Sequence, residues 1–158
     1  MRVLITGGGG NLGRVLAPAL EEAGHEPVLM DNCALETSCE VARGDVREKI
    51  EVLRALRNVD VVVHAAALHG IHLEKYSTDD FWDLNVAGTR NLYEAALESG
   101  VGKVLLCSTM GVCGEGSRKA GEPPVMTEDL PLKPKDYYGF SKRAVSYTHL
   151  TLPTKRIV

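Results

Sequence analysis

The sequence predicts an α/β fold, an open doubly wound parallel sheet of strand order 3-2-1-4-5, on three observations. Short Val/Leu/Ile runs alternate with amphipathic helical stretches from the N-terminus onward. The runs are continuously apolar, as strands buried on both faces are. A glycine cluster stands between the first run and the first helical stretch.

Val3-Leu4-Ile5 reads as the first strand. A helix from about Asn11 follows, with Leu12, Val15, Leu16, Ala19 and Leu20 expected inward and Gly24 closing it as C′. Further strands are predicted at Val28-Leu29-Met30, around Val41-Ala42, at Val61-Val62-Val63 and at Val104-Leu105-Leu106. Helices are predicted near Glu48 to Leu56 and from Asp79 to Ser99, and the Pro/Gly-rich stretch from Gly111 to Pro134 is expected to be a loop. Strands separated by helices, joined by right-handed crossovers, give the 3-2-1-4-5 order.

The chain has 158 residues, 44% apolar and 25% charged, the size of one globular domain with a core. A formal charge of -3 and no basic block give no footprint for nucleic acid or an anionic membrane surface. The first residues read as a strand, leaving no room for a signal peptide, and no apolar run reaches the ~20 residues of a membrane span. A cytoplasmic protein with a small-molecule partner is the expectation. Cysteines 33, 39, 107 and 113 lack the spacing of zinc knuckles, so they read as free buried thiols and no metal site is predicted.

Thr6-Gly7-Gly8-Gly9-Gly10-Asn11-Leu12-Gly13 joins strand to helix, where backbone amides at a helix N-terminus can hold a pyrophosphate. Gly7 permits the turn, Gly10 lets a phosphate approach the backbone, and Gly13 lets helix pack on sheet. Asp31 ends the second strand, 18 positions after Gly13, where its carboxylate can accept both hydroxyls of an adenosine ribose. A 2′-phosphate would meet a like charge there, so NAD is the expected cofactor. Asp31 as a plain turn-former before Asn32 is the alternative.

With these residues placed, the chain resembles the extended short-chain dehydrogenase/reductase family, also described as NAD-dependent epimerases/dehydratases, whose nucleotide-binding part is a Rossmann sheet. The resemblance runs from about Met1 to Lys142. It rests on the glycine loop, Gly44-Asp45-Val46, His64-Ala65-Ala66-Ala67, Asn85-Val86-Ala87-Gly88-Thr89, Ser108-Thr109 and Tyr138-Gly139-Phe140-Ser141-Lys142, in the family's order. It implies that Asp45 and Val46 bracket the adenine ring, that Ala65, Ala66 and Ala67 run beside phosphate and ribose, and that Asn85 steadies the long helix. Asp45 also reads as a helix N-cap.

Tyr138 and Lys142 stand four apart in a stretch that Pro134 and Asp136 can start as a helix, so they share a face. A tyrosine acting as general base must fall from a pKa of about 10 toward neutrality, a change worth about 4 kcal/mol. A cation about 4 Å away at an effective dielectric near 20 contributes about that much. Thr109, ending the fifth strand, can hydrogen-bond the reacting oxygen. The resemblance implies that hydride passes between the substrate carbon and the nicotinamide, and that Lys142 holds the nicotinamide ribose. Met110-Gly111 stand where water-eliminating members carry an acidic pair, which disfavours a dehydratase. Cys113, before Gly114, occupies a place often aromatic in the family. His69 and His72, in the loop after the fourth strand, read as solvated loop residues, with contact to substrate as the alternative.

After Lys142 the resemblance implies a long helix, yet Tyr147-Thr148-His149-Leu150-Thr151-Leu152-Pro153-Thr154 is rich in poor helix formers and contains a proline. The helix is expected to fail there. Val145 to Thr154 resembles one reading frame of a sequencing adaptor, so residues 1–144 are expected to be an incomplete NAD-binding domain, cut before its substrate lobe, and 145–158 a non-native tail. A short sixth strand from Leu150 to Val158 is the alternative. Without the missing part, one flank of the sheet should be uncovered and the fold marginal.

The expected function is an NAD-dependent oxidoreductase or epimerase acting on a sugar or nucleotide-sugar hydroxyl, with Tyr138 as general base and a homodimeric parent protein. A non-catalytic NAD-binding protein and an inert fragment are the alternatives.

Overall fold

A computed structural model of the chain describes residues 1–113, 127 and 130–151, with 147–151 as backbone alone. Among the described residues five parallel strands form one sheet: β1 (Arg2–Thr6), β2 (Glu26–Asp31), β3 (Glu40–Arg43), β4 (Val61–His64) and β5 (Lys103–Leu106). Their order is β3-β2-β1-β4-β5, as the alternation of strands and helices predicts. Leu4 pairs in register with Val28 on one side and Val62 on the other. The order reverses at β1 and β4, and a ligand crevice in such a sheet lies beyond the carboxyl ends of these strands.

Helix α1 (Asn11–Glu22) covers one face of the sheet, over Val3, Ile5, Leu29 and Val63. Its phase differs from the expectation: Leu12, Val15 and Ala19 are exposed, while Gly13 and Ala17 are buried and Leu16 and Leu20 partly so. The cause is Gly13. A Cβ there would overlap the carbonyl of Gly8, so contact between loop and helix fixes which side of α1 turns inward. At the other end Gly24 has φ +76°, and the Gly24 and His25 amides donate to the Glu21 and Leu20 carbonyls. That is the Schellman closure expected of a C′ glycine.

The opposite face carries α2 (Lys49–Ala55) and α4 (Gly88–Glu98), which bury Val52, Leu92, Ala95 and Ala96 against Leu4, Val28, Val62 and Val104. The single helix expected from Asp79 to Ser99 is three segments: α3 (Thr78–Phe81), a π-helical stretch Trp82–Ala87, and α4. A Cβ on Gly88 would come within 2.8 Å of Val46 Cγ2, so this glycine lets α4 approach the chain after β3.

The last helix, α5 (Tyr137–Thr151), begins at an Asp136 cap, whose Oδ1 accepts the Gly139 amide at 2.7 Å. The expected failure after Lys142 does not occur. Val145 is 1% exposed, and within the described residues the helix continues to Thr151. Helix propensity is a weak preference that such burial overrides. The alternative strand to Val158, and most of the loop from Gly111 to Pro134, lie outside the described residues. Edge strand β5 leaves Leu105, on the α1 face, 49% exposed. All four cysteines are unpaired; Cys33 is exposed and the other three half-buried, so the expectation of buried thiols fails most clearly at Cys33, in the turn after Asp31. Among the described residues no helix is long and apolar enough to cross a membrane.

Candidate active site

The glycine loop turns at Gly7, where φ is +69° and a Cβ would lie 2.9 Å from the Ala66 backbone nitrogen. Only glycine serves both demands. Gly7, Gly10, Asp31, Asp45, Val46 and Ala65 to Ala67 line one crevice of about 240 Å³ beyond the ends of β1 and β4. Gly44, from the Gly44-Asp45-Val46 motif, and Met30, Asn32 and Leu84, to which the sequence assigns no site role, complete it. A larger cavity of about 560 Å³ lies between α1 and residues 34–39. The smaller crevice is the candidate nucleotide site, since the residues expected to hold a nucleotide converge there at the sheet's switch point.

Asn11 and Leu12 stand outside the crevice, exposed in the first turn of α1, and Gly13 is buried beneath Gly8. Asp31 uses one oxygen for the Gly9 amide at 2.9 Å and the other for the Cys33 amide at 3.0 Å. It thus braces both the loop and its own turn, and a carboxylate with about four acceptor positions keeps room for two hydroxyls. Both expected roles of Asp31 are compatible here. The Arg14 Nε, donating to the Gly9 carbonyl, holds the loop from its other side.

Asp45 does not cap α2, which starts four residues later. It accepts from the Arg47 amide and side chain, and that guanidinium holds its carboxyl below the usual range against the opposing effect of burial. The Asp45 amide donates to Glu51 at 2.8 Å. The carboxylate of Asp45 therefore stays charged at the crevice rim.

Asn85, on the π segment, is 1% exposed. Its carboxamide accepts the Leu68 amide at 2.8 Å and donates to the Leu68 carbonyl and to Ser141 Oγ, each at 2.9 Å. Ser141 in turn donates to the Tyr138 carbonyl at 2.8 Å. Asn85 so ties the loop after β4 to the helix of Tyr138. Gly139 matters in the same place: a Cβ would lie 2.8 Å from Pro134 and 3.2 Å from the Gly111 carbonyl.

Tyr138 hydrogen-bonds Thr109, and both sit where β5 ends and α5 begins. The electrostatics depart from the expectation. Burial pushes the Tyr138 phenol above its ordinary pKa, and the Thr109 hydrogen bond offsets that only partly. The Lys142 ammonium, 2% exposed, donates to the Cys107 carbonyl at 2.7 Å, and burial lowers its pKa. The groups that act on the Tyr138 phenol are Thr109, Asp136 and Cys107, beside burial, while the Lys142 ammonium is turned to the Cys107 carbonyl.

His69 and His72 are also more than solvated loop residues. His72 Nδ1 accepts the His69 amide at 2.9 Å, capping the turn Gly70–His72. The His69 ring lies against Tyr138, centroids 4.7 Å apart. The His-x-x-His spacing at a turn was the available signal.

A family model described as "NAD dependent epimerase/dehydratase family" matches residues 3–152. UDP-glucose 4-epimerase of Streptomyces lividans is 33% identical over 155 residues, covering 92% of this chain and 46% of that protein. Among solved structures, the Thermus thermophilus UDP-glucose 4-epimerase complex with NAD superposes with a TM-score of 0.81 at 32% identity, over 96% of this chain and 50% of that one. A short-chain dehydrogenase/reductase superfamily protein from Agrobacterium tumefaciens with bound NAD gives 0.81 at 28% identity, over 93% and 43%. The chain thus spans about half the length of the curated relatives it matches.

Proposed function

The chain belongs to the NAD dependent epimerase/dehydratase family, and from that premise we propose that it forms the nucleotide-binding half of an enzyme that oxidises or epimerises a sugar or nucleotide-sugar hydroxyl. The observation that carries this reading is the crevice in which Gly7, Gly10, Asp31 and Ala66 converge, with the Thr109–Tyr138 pair set beyond β5. The residues fit a dinucleotide. The backbone at Gly10 is open apart from the Gly7 carbonyl, which a Cβ there would approach to 3.1 Å, and Asp31 keeps free acceptor capacity for a ribose.

When bound, the nicotinamide supplies the hydride acceptor. Asp31 holds the adenosine ribose and favours NAD over NADP. Asp45 and Val46 bracket the adenine, and Ala65 to Ala67 run beside the phosphate and ribose. Thr109 hydrogen-bonds the substrate hydroxyl and orients it. Tyr138 takes the hydroxyl proton, and Lys142 holds the nicotinamide ribose. A cytoplasmic homodimer, with neither nucleic acid nor membrane as partner, completes the proposal.

Tyr138 must lose its proton to act as base, and burial opposes that loss. This observation favours a second reading for the chain as it stands, a protein that binds nucleotide without turning substrate over. Mixing the chain with NAD and UDP-glucose separates the readings. Accumulation of reduced nicotinamide marks oxidation, a new sugar epimer without net reduction marks epimerisation, and binding with neither product supports the second reading. A folded chain that binds no NAD sinks both.

A further inference from the structure

A buried chain of hydrogen bonds crosses the interior from the glycine loop to the π segment, and the proposed chemistry leaves its central residue unused. His64, the last residue of β4, is wholly buried. Thr6 Oγ1 lies 2.7 Å from its Nδ1, and Thr89 Oγ1 lies 2.8 Å from its Nε2. Each hydroxyl has one proton, and its other contact shows where that proton goes. Thr89 Oγ1 is 2.6 Å from the Asn85 carbonyl, which can only accept, so Thr89 donates there and must accept from Nε2–H. A neutral imidazole protonated on Nε2 has a bare Nδ1, to which Thr6 donates. The Thr6 oxygen then accepts the Ala66 amide at 3.2 Å.

Every donor in this series meets an acceptor in one direction, from Ala66 to Thr6, His64, Thr89 and the Asn85 carbonyl. The opposite tautomer would set the bare Nε2 against a hydroxyl whose proton already serves Asn85. Burial, reinforced by the Lys142 cation, pushes the His64 pKa down to about 3, so the imidazole stays neutral. The two ends of the series are the two halves of the site. Ala66 is the wall of the crevice opposite Gly7. Asn85 holds Ser141, and Ser141 holds the Tyr138 carbonyl.

We propose that His64, locked as the Nε2–H tautomer between Thr6 and Thr89, is a positioning residue that fixes the nucleotide crevice at Ala66 against the helix of Tyr138. The proposal rests on reading that crevice as the nucleotide site. It differs from a plain core role because breaking the relay should change nucleotide affinity, not stability alone.

Thr89→Val removes the acceptor for Nε2–H at constant volume, and Thr89→Ser restores it. Long-range proton–nitrogen correlation spectra of nitrogen-labelled histidine should show wild-type His64 as Nε2–H, without titration from about pH 5 to about pH 9. Titration calorimetry should show NAD affinity falling about tenfold in Thr89→Val and staying within about twofold in Thr89→Ser. An Nδ1–H form in the wild type, or a folded Thr89→Val that binds NAD at wild-type strength, overturns the proposal. Thr6→Val and Thr6→Ser carry the same comparison from the other end if Thr89→Val does not fold. Failure of the wild type to bind NAD sinks the nucleotide-site reading instead, and the spectra still decide the tautomer separately.

Discussion

The Lys142 ammonium donates to the Cys107 carbonyl at 2.7 Å, which anchors α5 to the chain as it leaves β5. A buried cation held by one neutral carbonyl contributes little to stability. Lys142→Met should therefore change stability at pH 7 by no more than about 1 kcal/mol, since relief from burying the charge offsets the lost hydrogen bond. The folded-state pKa of Lys142 is lowered, so the unfolded chain binds its proton more tightly. Wild-type stability should then rise relative to the variant as pH climbs toward the ordinary lysine value of about 10.4. Urea unfolding at several pH values checks this, and a loss above about 3 kcal/mol at pH 7 contradicts it.

Tyr138→Phe should leave NAD affinity within about twofold while lowering turnover by about 10²- to 10⁴-fold, the usual contribution of a general base. Burial raises the Tyr138 pKa, so wild-type turnover should increase with pH through the alkaline range instead of levelling near neutrality. A pH–rate profile beside calorimetry of the variant tests both statements.

Gly13→Ala places a Cβ against the Gly8 backbone, where no flexible side chain can give way. The expected cost is about 1–3 kcal/mol, with weaker NAD binding because the N-terminus of α1 must move. Chemical denaturation measures the first and calorimetry the second.

His64 predicts acid sensitivity. Its folded-state pKa, pushed down to about 3 by burial, lies below the unfolded value of about 6.5, so the unfolded chain takes up a proton that the folded one refuses. Its stabilising effect is complete above about pH 6.5 and declines as pH falls toward 3. Between pH 7.5 and 5.5 this residue alone should remove about 1.4 kcal/mol, measurable by urea unfolding at the two pH values.

The sheet order and the turn of the glycine loop were legible because they are local demands. A positive φ at Gly7, a close contact at Gly13 and continuous apolar strands leave a mark at fixed positions. The rotation of α1 was not legible from its leucines, because the contact of Gly13 with Gly8 sets the phase; the small pair Gly13 and Ala17, four apart, was the clue. The relay through His64 joins residues 6, 64, 85 and 89, and requires knowing that Thr6 and His64 end neighbouring strands in register. Lys142 misled because a shared helix face says nothing of which acceptor the ammonium reaches. The persistence of α5 past Lys142 reflects packing at Val145 that propensity does not contain.

Titration calorimetry of the purified chain with NAD and NADP, beside an Asp31→Ala variant, tests the nucleotide site most directly. Saturable binding that favours NAD, and that loses this preference in the variant, is the predicted result. A folded chain that binds neither nucleotide, or an Asp31→Ala variant that keeps the wild-type preference, contradicts it.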